Sequence, residues 1–261
     1  MFSLFLYFVQ KMEKVLLYII GVVHKDLEGR ERLRAFLNYA KPDLIGVEYD
    51  TERLENLIGK IPKTMDEIYD LLLSSRKKLI KKINYLKFIS KDDEELKFLN
   101  SISEQSTASL YEIDEPVHYC KSTQQCKLEF IDFNFIGSKE EMREVSRSED
   151  EAIIELEKEL VANNLSYQEF FDSFYKLNRN EIEKLYSSDL KRNILDGKRN
   201  KYMSSTIMQL VRNNPNKTHV YIVGLLHLYT IANNLTTLSP IVMTLPEAYK
   251  MSNNLTTRSG K

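Results

Sequence analysis

The stretch Val15–His24, VLLYIIGVVH, and its echo Val220–His227, VYIVGLLH, decide the fold. Each begins as an apolar, β-branched run without proline or charge, which is how a strand buried on both faces of a parallel sheet reads. Each then passes through Gly and two aliphatics to deliver a histidine. The spacing predicts equivalent positions for His24 and His227 on two separate strands, with Gly21 and Gly224 letting the chain turn sharply where each strand ends. In an open parallel sheet the carboxyl ends of the strands line the ligand crevice, so both histidines are expected at one rim.

Outward from the first run, Gly29–Ala40 places Leu33, Phe36 and Leu37 on one helical stripe that Lys41-Pro42-Asp43 terminates. Leu44–Val47 is a short strand that delivers Glu48, and a right-handed crossover sets it parallel to the first. A helix over about Ser103–Cys120, kinked or interrupted at Pro116, leads to a third strand, Lys127–Ile131, which delivers Asp132. A long helix from about Asp189 to Asn213 carries Arg199, Asn200, Met203 and Ile207 up to Asn214-Pro215. The strand His219–Val223, a helix through Ile231 and Leu235, and a strand near Ile241–Leu245 close the chain.

The resulting fold class is α/β: a central, mostly parallel sheet with a strand-end site and large helical insertions. One domain spans about residues 15–250, with insertions at about 60–110 and 138–190, a peripheral extension at 1–14 and a flexible tail at 251–261. Capping-box pairs at Thr64/Glu67, Ser138/Glu141, Ser148/Glu151 and Ser166/Glu169 mark helix starts in the insertions. Amphipathic helices of this kind suit a lid, a dimer interface or a subdomain equally, and the sequence leaves oligomeric state open.

With 261 residues, a core of this class needs no disulfide or structural metal to fold. A net charge of -1 gives no nucleic-acid footprint, and no run approaches the roughly 20 apolar residues of a membrane helix. Cys120 and Cys126 match neither a redox CxxC nor a zinc half-site and read as free thiols, so a cytoplasmic location is expected. The opening MFSLFLYFVQK lacks the basic start and small-residue cleavage site of a signal peptide, and Met12 is an alternative start.

Four strand ends thus present His24, Glu48, Asp132 and His227. That set can hold a divalent cation, or pair a general base with carboxylates that orient it. Arg199 would counter the carboxylates or bind a substrate carbonyl, and Asn200 would hydrogen-bond beside it. His118 and His219 lack this placement and read as structural or exposed.

These residues carry a resemblance. The GVVH and GLLH pair, the spacing Glu48 to Arg53 in VEYDTERL, the FID strand end and the helix segment KRNKYM resemble the TraB family of pheromone-shutdown proteins, which is related to GumN and TIKI proteins. The resemblance implies His24 and His227 as the twin Gly-x-x-His histidines, Glu48 as the acid after the second strand, Arg199 with Asn200 as the helix motif, and Asp132 as a further acid. It implies metal-dependent cleavage of a peptide, or of another small-molecule substrate, with Mn, Co or Zn held by His24, Glu48, His227 and Asp132. Its more distant erythromycin-esterase relatives imply instead a histidine base without metal. A third possibility is a module that sequesters a peptide or small signal without cleaving it. Lys25-Asp26 after the first motif, Lys198 before Arg199, Phe133 and Thr230 depart from the family pattern.

Overall fold

In the computed structural model, which describes residues 15–24, 26–49, 111–132, 166–187 and 190–256 with helical positions 67, 68, 70, 74 and 81, the hydrophobic runs become the strands of one sheet. The elements in chain order are β1 (Leu16–Val22), α1 (Gly29–Ala40), β2 (Leu44–Val47), α2 (Tyr111–Thr123), β3 (Lys127–Phe130), α3 (Tyr167–Lys176), α4 (Arg179–Ser187), α5 (Leu190–Asn213), β4 (Thr218–Gly224), α6 (Leu225–Asn234), β5 (Ile241–Thr244) and α7 (Leu245–Thr256). All five strands are parallel, in the order β3-β2-β4-β1-β5. The two strands that end in Gly-x-x-His runs are therefore direct neighbours at the centre.

Side chains alternate across the sheet, as the strand period demands. Tyr18, Ile20, Val22, Ile45, Val47, Val220 and Ile222 pack on one face with Leu33, Phe36 and Leu37 of α1, Val117 of α2 and Ala248 of α7. Leu17, Ile19, Tyr221 and Val223 pack on the other with Met203 and Ile207 of α5 and Leu228 and Ile231 of α6. The chain leaves β1 into a helix of the first layer and β4 into a helix of the second. Neighbouring strand ends that diverge in this way open a crevice between them.

Three expectations need correction. The helix α2 runs without interruption through Pro116, because Ile113, Pro116, Val117 and Cys120 are all buried on the first face and tertiary packing overrides the lost backbone bond. Leu245 belongs not to the last strand but to α7, which Thr244 opens by bonding Glu247 through both its N–H (2.8 Å) and its hydroxyl (2.9 Å). The expected tail from residue 251 is helical to Thr256, with Ser252 buried against the body. The extension 1–14, the insertion 60–110 apart from the positions named above, and the capping boxes at Ser138 and Ser148 lie outside the described residues, whereas the Ser166/Glu169 box caps α3 as expected. Among the described residues no helix is long and apolar enough to cross a membrane.

Candidate active site

The backbone ladder extends past the strands and thereby fixes the acids. The Glu48 N–H donates to Ile222 O (3.0 Å) beyond β2, and the Asp132 N–H donates to Tyr49 O (3.3 Å) beyond β3. Both side chains are buried beneath α5, whose Arg199 reaches them together. Its Nη2 lies 2.7 Å from Glu48 Oε1 and 2.5 Å from Asp132 Oδ2, and its Nε lies 3.2 Å from both Asp132 oxygens. The next residue on the helix, Asn200, accepts a hydrogen bond at Oδ1 from His227 Nδ1 (2.8 Å).

Gly224, the last residue of β4, is the hinge of the arrangement. Its N–H donates to Glu48 Oε2 (2.5 Å). A β-carbon placed there would stand 3.2 Å from His24 Nε2, 3.3 Å from Glu48 Oε2 and 3.5 Å from His227, so the two histidines and the glutamate meet closely over this glycine. Burial alone would raise the Glu48 pKa. His227, Arg199, His24 and the Gly224 N–H together outweigh burial and hold it at about 2. Glu48 is therefore a buried carboxylate held charged into the acid range, with His227 Nε2 at 3.4 Å from its Oε1.

The twin motifs are not in equivalent register, contrary to the reading from spacing. Val22 pairs with Gly224 and Gly21 with Val223, so the motifs are offset by one residue. Gly21 is interior to β1, where its missing β-carbon admits Leu228 and Leu225 of α6. His24 stands in the turn after β1 with its side chain 53% exposed, whereas His227 sits in the first turn of α6 at 8%. The remaining histidines behave as expected: His118 is exposed, and His219 is buried with its ring bonded to Asn214 O and Tyr221.

Two contributions escaped the sequence reading. Glu112, on α2, is buried and places Oε1 3.1 Å from His24 Nδ1. Asp26, noted in the sequence only as a departure from a family pattern, is completely buried and binds four groups: Arg32 (3.0 Å), Gln168 (3.1 Å), Tyr175 (3.1 Å) and the Glu28 N–H (3.0 Å). Because Tyr175 also accepts from the Val23 N–H (2.9 Å), Asp26 ties helix α3 to the segment carrying His24. Burial first, and the Asp26 charge second, push the Tyr175 hydroxyl well above its ordinary pKa, so it remains a donor. Neither residue had a periodic or motif signal, since Glu112 meets His24 across 88 residues and Asp26 joins Gln168 and Tyr175 across more than 140.

As donor types, two imidazoles and two carboxylates suit Mn, Co or Zn. Among the described residues no group of three or more His, Cys, Asp or Glu is placed to hold one, and the Arg199 guanidinium lies on both carboxylates. Arg199 supplies positive charge where those carboxylates converge. Compared with protein-family models, with curated proteins and with solved structures, the chain gives no match.

Proposed function

We propose that this chain is a hydrolase that uses its two rim histidines, with Arg199 as the local positive charge, to add water to the carbonyl of a peptide or small acyl substrate. One observation carries this reading: an ionised, buried Glu48 stands among Arg199, the Gly224 N–H and both Gly-x-x-His histidines. A buried charge cluster costs desolvation that hydrophobic packing would avoid, and perturbed carboxylates in a cleft mark functional sites.

Hydrolysis needs a base to take a proton as water oxygen bonds to the carbonyl carbon. It also needs a positive group for the oxyanion, and an acid that protonates the leaving group as its bond to that carbon breaks. His24 and His227 supply proton transfer. Arg199, held by Glu48 and Asp132 so that it need not reorganise, supplies the charge. The reading accords with the metal-free chemistry that the resemblance to erythromycin-esterase relatives implies.

A second reading, metal-dependent peptide cleavage of the kind the TraB resemblance implies, is favoured by one feature. Both histidines have Nδ1 held by an acceptor, the arrangement that orients metal-bound imidazoles. It requires Arg199 to yield its place at Glu48. The test is turnover of a panel of peptides and esters by chelator-dialysed protein and by His24→Ala and His227→Ala. Activity that survives chelator and disappears in both variants supports the proposal. Activity lost to chelator and restored by Mn, Co or Zn replaces it with the metal reading, and substrate that binds one to one yet is recovered intact replaces both with sequestration.

A further inference from the structure

We infer that Glu112 is the positioning residue of His24, and that it makes His24, rather than His227, the base of the site; this rests on the hydrolase reading above. The chain of contacts begins at the start of α1. A β-carbon on Gly29 would collide with the Tyr111 ring, so glycine there lets the first turn of α2 lie directly on α1. Tyr111 then donates its hydroxyl to Val23 O (2.9 Å), one residue before His24. The next residue, Glu112, is thereby held against the histidine.

A carboxylate oxygen accepts, so Glu112 Oε1 calls for a proton on His24 Nδ1, and in the neutral ring that leaves the lone pair on Nε2. That nitrogen faces the space over Gly224 where Glu48 stands. His227 has the same tautomer for a different reason, since its Nδ1 partner is the neutral amide oxygen of Asn200. The partners differ in what they do to the ring. A carboxylate on Nδ1 stabilises the imidazolium that forms when Nε2 takes a proton from water, whereas an amide oxygen fixes orientation alone. Accessibility points the same way: His24 is half exposed, while His227 is buried with Nε2 turned to Glu48.

The second oxygen of Glu112 adds weight. Among the described residues, Glu112 Oε2 is one of three buried side-chain atoms with no hydrogen-bond partner, beside Arg30 Nε and Gln168 Oε1. An unsatisfied buried carboxylate oxygen lowers stability, so a helix face chosen for packing alone would not place one here.

The test reads the His24 ring directly by ¹⁵N NMR, which a chain with four histidines permits, using His24→Ala to mark the resonances. Wild type should show His24 protonated on Nδ1. Glu112→Ala should shift it toward the Nε2-protonated form, whereas the shape-conserving Glu112→Gln, whose amide oxygen still accepts, should keep the proton on Nδ1 and lose only the carboxylate's stabilisation of the imidazolium. On any substrate that wild type hydrolyses, either variant should lower kcat by about 10²–10⁴-fold while KM changes less than about threefold. An Nε2-protonated His24 in wild type, a tautomer unmoved in Glu112→Ala, or a kcat unchanged in Glu112→Gln overturns the inference. A tautomer that responds to Glu112 in a protein that hydrolyses nothing upholds the positioning and removes the hydrolase reading alone.

Discussion

The two Gly-x-x-His runs read alike and are built differently. After β1 the chain makes a turn, closed by the Asp26 N–H on Val23 O (3.0 Å), and leaves His24 outside the packed layers. After β4 the helix begins at once, Leu225 and Leu228 enter the core, and His227 is drawn in with them. The residues downstream of each motif decide the outcome. Asp26-Leu27-Glu28-Gly29 is turn and cap chemistry, whereas Leu228-Tyr229-Thr230-Ile231 continues an apolar helix. On the His24 side the structural weight is carried not by the histidine but by its neighbour Asp26. On the His227 side it is carried by Glu48 and Arg199, and the histidine is part of that packing.

The largest effects should fall on the buried charges of both sides. Asp26→Ala removes the fully buried carboxylate that binds Arg32, Gln168, Tyr175 and the Glu28 N–H together, and Arg199→Met removes the guanidinium shared by buried Glu48 and Asp132, so each should cost about 3–5 kcal/mol in urea unfolding. A much smaller loss in Asp26→Ala would break the comparison. Acid should next single out the His227 side. The stability tied to Glu48 is present in full above its unfolded pKa of about 4.5 and is lost as pH falls toward its folded value of about 2, about 3 kcal/mol in all. The check is the pH dependence of unfolding in wild type against Glu48→Gln, which should lack that slope.

The offset glycines sharpen the contrast. In Gly21→Ala the new methyl meets Leu228 at 2.7 Å, and overpacking should cost about 1–3 kcal/mol without touching the site. In Gly224→Ala the contacts are 3.2–3.5 Å and fall on His24, Glu48 and His227, so thermal stability should move less while turnover falls more. The smallest changes in stability are expected for His24→Ala and His227→Ala, about 1–3 kcal/mol each, because the first takes the histidine from the buried Glu112 carboxylate and the second takes the His227 contact from buried Asn200.

Local pattern was enough for the strands, the α/β class with its central parallel sheet and the delivery of His24, Glu48, Asp132 and His227 to one edge, because alternation and apolar runs are properties of consecutive residues. The same holds for the helix over Gly29–Ala40 and for the Ser166 cap, where the decisive contacts lie within four residues. Only the tertiary structure decided that the two motifs slip by one residue, since register is set by what Val22 and Gly224 pair with across the sheet. It alone placed Glu112 on His24, a contact spanning 88 residues that depends on Tyr111 fitting over Gly29. It also turned Arg199 onto two carboxylates at once, where the sequence had offered either a metal ion or a counter-charge. In each case the deciding energy belongs to packing between distant elements, and no periodicity along the chain records it.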